Sequence, residues 1–153
     1  FLAAIVRCNQ ALDVQQNSAS LISLDEVLER AIKLTQQSGL VIMISDFDGL
    51  SSRCENLIRQ LSEHRDLLLV QVSDPASRDL PSSVIPISDG DLQASLNLKN
   101  PSVVSNVQSA IDQRLASLVS WSSKYNFPIL PLSTDQSALH QMKNLFGLRP
   151  RTK

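Results

Sequence analysis

Glycine is scarce in this sequence, with only Gly39, Gly49, Gly90 and Gly147. None of these spacings makes a phosphate-cradling loop, so the common nucleotide fingerprints are excluded. Cysteine is limited to Cys8 and Cys54. Two cysteines make neither a disulfide framework nor a metal spacing, and both are expected to be reduced thiols, Cys8 packed among apolar neighbours. An excess of one charge is also missing. The 14 basic and 15 acidic residues leave a net charge of -1, which removes the broad basic face that nucleic-acid backbones require. Long apolar runs are absent. The longest, residues 40–44 and 67–70, fall far short of a bilayer span. Residues 1–6 lack the basic flank and cleavage site of a signal peptide. What is present is enough apolar character, 42% of 153 residues, for one domain with a real core. The chain opens on Phe1, already inside a helical pattern and without a methionine. It is therefore expected to be a piece of a longer protein.

Helical and strand patterns alternate along the chain. Leu2, Ile5, Val6 and Leu12 give residues 1–14 a helical spacing, and residues 15–20 are polar and loop-like. Ser23 followed by Glu26 is a capping box. It predicts a helix to about residue 37 that buries Leu24, Val27, Leu28, Ala31 and Leu34, stopped by Ser38-Gly39. The solid apolar run 40–45 suits a strand buried on both faces of a parallel sheet. Residues 53–64 return to helical spacing through Leu57, Ile58 and Leu61, and 66–73 form a second buried strand. This order predicts right-handed crossovers and an α/β fold with a mainly parallel sheet. Asp89-Gly90 between two short apolar stretches, 84–87 and 92–98, predicts an inserted β-hairpin. Pro86 places it at a sheet edge. Pro101 opens the longest helix, to about Tyr125, with Val104, Val107, Ile111, Leu115 and Leu118 as its buried stripe. Residues 127–132 form a third strand, and Ser133-Thr134-Asp135 caps a last helix over 136–146, ended by Gly147.

In a parallel sheet, ligand sites lie beyond the carboxyl ends of the strands. The three strands end in Ser45-Asp46, Ser73-Asp74 and Ser133-Thr134-Asp135. Hydroxyls and carboxylates of this kind suit a hard divalent cation. They also serve as helix caps and turn formers, and local spacing does not separate the two roles. Asp46 stands apart, because it ends the strand expected at the centre and is followed by Asp48. His64 faces a helix's negative end, and His140 lies mid-helix with no nucleophile near it in sequence. Trp121 and Tyr125, one turn apart, are expected in helix packing.

The strand "LVIMISDF" (residues 40–47), the stretch "RDLLLVQVSDPASRDLP" (65–81), the hairpin, the long helix and "ILPLSTDQSALHQMKNLF" (129–146) occur in that order. As an ordered set they resemble the DUF fifty-eight family, a bacterial domain family with a von Willebrand factor A-like fold. The resemblance implies a Rossmann-like three-layer sandwich, with residues 1–148 as its C-terminal part and 149–153 as a basic tail. It implies a non-enzymatic, cytoplasmic protein-interaction module that partners a MoxR-type AAA+ ATPase. The binding surface it implies is Asp46, Phe47 and Asp48, with Asp74 beside them. By the same resemblance, Asp46 matches the third-loop aspartate of an adhesion-type metal site. The family's second-loop threonine would fall near Ser20 to Ser23, where Ser23 is the available oxygen ligand. The Asp-x-Ser-x-Ser loop does not occur in this chain. Magnesium is therefore expected only in the longer protein. The rival reading is a metal-assisted hydrolase on the carboxylate edge, for which the chain offers no convincing base. A receiver-like or flavodoxin-like domain is a third, opposed by the hairpin and the long helix. Unpaired strand edges predict self-association.

Overall fold

The computed structural model describes residues 22–35, 39–88 and 93–147. The helix expected over residues 1–14, Cys8, the Asp89-Gly90 turn and the basic tail lie outside the described residues. Ten elements are seen. They are α1 (Leu24–Leu34), β1 (Leu40–Ser45), α2 (Ser52–His64), β2 (Asp66–Ser73), a short 3-10 turn (Pro75–Ser77), β3 (Val84–Ser88), β4 (Gln93–Asn97), α3 (Pro101–Tyr125), β5 (Ile129–Ser133) and α4 (Ala138–Leu145).

Local chemistry explains most boundaries. The Glu26 N–H donates to Ser23 Oγ at 3.3 Å and starts α1. The Cys54 N–H donates to Ser51 Oγ at 3.0 Å and starts α2. Asn100 caps α3 with Pro101 in its first turn, and Asn126 ends it in the left-handed conformation at φ 56°. Two expected boundaries move. Thr35 closes α1 early, its N–H and its hydroxyl both donating to the Ala31 carbonyl. The last helix starts at Ala138, so Ser133-Thr134-Asp135 forms a turn rather than its cap.

The main sheet has three parallel strands in the order β1-β2-β5. Val41 pairs with Leu67, and Leu69 with Ile129, so these side chains share one face. Helices α1, α2 and α3 cover that face with Leu28, Ile58, Leu61, Leu118 and Trp121. Tyr125 packs against the same core, as helix-packing duty requires.

Several expectations are corrected here. β1 is an edge strand among the described residues, and β2 is central. Only one face of β1 is buried: Val41 and Met43 point inward, whereas Leu40, Ile42 and Ile44 are 62%, 52% and 70% exposed. Among the described residues, all three long helices pack on one side of the sheet, and none of them covers this other face of β1. Val27 and Leu34 are also exposed, because α1 buries only the stripe around Leu28. The hairpin β3-β4 forms, with Pro86 opposite Ser95, but as a separate two-stranded sheet that pairs with no edge of the main one.

Candidate functional site

The carboxyl ends of the parallel strands open onto one cleft of about 360 Å³. Asp46 comes from the end of β1, Ser73 and Asp74 from the end of β2, and Thr134 from the end of β5. Helix α3 closes the far wall with Ile111, Arg114 and Leu115, and Arg78 flanks it from the loop after β2. The Thr134 N–H donates to the Ser73 carbonyl at 3.0 Å and ties two of these strand ends together.

Asp46 is held by its own loop. Its Oδ1 accepts from the Asp48 N–H at 3.2 Å and from the Ser45 hydroxyl at 3.3 Å. Ser45 Oγ in turn accepts from the Phe47 N–H at 3.0 Å. Asp74 Oδ1 accepts from the Ala76 N–H at 2.9 Å and caps the short turn. Both carboxylates are exposed, and neither meets a cation among the described residues. Asp48, in contrast, is paired with Arg114, and Arg78 with Asp112.

Phe47 does not belong to the expected surface. Its side chain is fully buried in the core, because the backbone turns at φ 56° and swings the ring under the sheet end. Of the expected surface, Asp46 and Asp74 line the cleft, and Asp48 reaches it only through its pairing with Arg114. Ser23 is engaged in capping α1 and does not line the cleft. Asp46 and Ser23 are thus not brought into one ligand set. Among the described residues, no group of three or more His, Cys, Asp or Glu side chains is placed to hold a metal ion.

Thr134 lines the cleft as the strand-end pattern predicts, whereas Gln71 and Arg114 complete it and were not singled out from spacing alone. Gln71 is the buried polar side chain of the core at 8% exposure. Its polarity inside an otherwise apolar strand was the available signal. Arg114 interrupts the apolar stripe between Ile111 and Leu115, which marks it as a helix residue at the rim.

Two further clusters join elements. Cys54 Sγ donates to Asp25 Oδ1 at 2.9 Å, and Ser51 Oγ donates to the same oxygen at 3.2 Å. Burial pushes the thiol's pKa up, and the hydrogen bond to Asp25 adds to the effect. A protonated, donating thiol is a poor nucleophile, so this trio fastens the first turns of α1 and α2. Glu55 accepts from Lys124 Nζ at 2.9 Å and from the Tyr125 hydroxyl at 2.8 Å, which ties α2 to α3. Both donors hold the Glu55 carboxyl below its ordinary pKa.

No protein family, curated protein or solved structure matches this chain. No described helix is long and apolar enough to cross a membrane.

Proposed function

We propose that the chain is a non-enzymatic protein-interaction module whose partner surface is the carboxyl edge of its sheet. One observation carries this reading. Exposed carboxylates from separate strand ends border a single open cleft, and each is positioned by hydrogen bonds within its own loop. A surface ordered before binding loses less conformational freedom on association, which favours recognition of a partner. The Cys54 trio offers no competing chemistry, since its thiol is buried and held protonated.

The resemblance to the DUF fifty-eight family supplies the finer reading: a von Willebrand A-like, three-layer domain acting in the cytoplasm with a MoxR-type AAA+ ATPase. The test is a pull-down of the purified chain with such an ATPase. Retention by the native chain and loss with Asp46→Ala supports the surface. Equal retention by both proteins would place the contact elsewhere. Circular dichroism of the variant checks that the fold is kept.

A further inference from the structure

We infer that the cleft at the carboxyl edge receives the cationic side chain, arginine or lysine, of a protein partner. The inference rests on the interaction surface proposed above and names what that surface recognises.

Charge is the first ground. Arg78 and Arg114 flank the cleft but are already matched, by Asp112 and Asp48. Among the described residues, Asp46 and Asp74 border the same cleft without a cation. The unmatched charge is therefore negative. Each carboxylate spends Oδ1 on its loop, and no described donor engages its Oδ2.

Gln71 is the second ground, independent of the acidic rim. It is nine-tenths buried and lines the cleft. Its Nε2 donates to the Val72 carbonyl at 3.4 Å, a long contact, and its Oε1 is the amide's acceptor. No described donor reaches that oxygen. Gln71 lines the cleft with that oxygen free of described donors. A buried acceptor left open favours a ligand that brings donors.

The walls are the third ground. Val72, Ile111 and Leu115 give the cleft apolar sides. Arginine and lysine carry an apolar stem beneath a charged, donor-only head. The stem fits these walls, and the head meets Asp46, Asp74 and Gln71. A carboxylate guest would instead face two unmatched carboxylates and an acceptor oxygen.

The test is a titration of the isotope-labelled full chain, followed by NMR, with Nα-acetyl-arginine amide and, separately, Nα-acetyl-glutamate amide. Saturable shifts of the Gln71 side-chain amide and the Asp46 and Asp74 backbone amides are expected with the arginine probe only. Asp46→Asn together with Asp74→Asn should weaken that binding about tenfold or more, since it removes both charges at the head group. Asparagine keeps the Oδ1 acceptors of both loops, so the fold is retained. No saturable shift, an undiminished affinity in the double variant, or preference for the glutamate probe would overturn the inference. The two proposals fail separately. Loss of ATPase retention with Asp46→Ala, alongside indifference to arginine, sinks this inference and leaves the surface standing. Arginine binding at the cleft without any ATPase retention does the reverse.

Discussion

Phe47 combines full burial with a φ of 56°, a conformation unusual for a bulky residue. The sequence places it directly after Asp46, so the loop that presents the carboxylate also anchors itself in the core. Phe47→Ala is expected to cost about 3 to 5 kcal/mol in urea unfolding, the usual range for deleting a buried phenyl ring. Phe47→Gly should cost slightly less than alanine, because glycine adopts positive φ freely. A neutral alanine variant would contradict the burial. Cys54 gives a second expectation. Its raised pKa and full burial predict slow alkylation by iodoacetamide in the native protein and fast alkylation in urea, read by mass spectrometry of the Cys54 peptide. Rapid native labelling would contradict the Asp25 hydrogen bond. Glu55 adds a pH dependence. Its folded pKa lies below the ordinary value of 4.5. Its contribution is therefore present above the unfolded pKa and is lost as pH falls through the folded one. Urea midpoints from about pH 6 down to 3 should fall less steeply below pH 4.5 in Glu55→Gln than in the native chain. Identical slopes would mean that Lys124 and Tyr125 do not hold the carboxylate.

At the level of elements, the order of helices and strands was legible because caps, turns and periodicity are local. Ser23 marks a boundary through its bond to the Glu26 N–H and Pro101 through its fixed φ, while the caps Ser51 and Asn100 were not read in advance. The position of a strand within the sheet was not legible. The run from Leu40 to Ser45 is apolar at nearly every position, as a doubly covered strand would be, yet among the described residues β1 lies at an edge with one face uncovered. Only long-range pairing decides that. The same limit applied to the hairpin, whose local register forms while its expected docking does not. The open edge and the exposed Leu40, Ile42 and Ile44 predict pairing between copies of the chain. Light scattering should show a dimer or larger assembly. Ile44→Lys should shift it toward monomer while changing unfolding stability by no more than about 0.5 kcal/mol, as is usual for an exposed position. A monomeric native chain would contradict this.

For the whole molecule, the candidate site was half legible. The three Ser and Asp strand ends could be read because turn chemistry repeats in sequence, and the parallel sheet does gather them at one cleft. Gln71 and Arg114 could not be placed, since the helix wall that brings them together is distant in sequence. Phe47 was misplaced for a backbone reason, the positive φ that sends its ring inward. The remaining carboxylates give the molecule one face with an unmatched charge and an ordered cleft, and that face is where a partner is expected. The most direct measurement is the affinity of a purified MoxR-type AAA+ ATPase for three immobilised proteins by interferometry: the native chain, Asp46→Ala, and a control changed at exposed His64, at the opposite end of α2. The native chain and the His64 control are predicted to bind alike, and Asp46→Ala to bind at least about tenfold more weakly, as for truncation at an interface centre. Equal binding by all three, or none by the native chain, would contradict an interaction surface at the carboxyl edge.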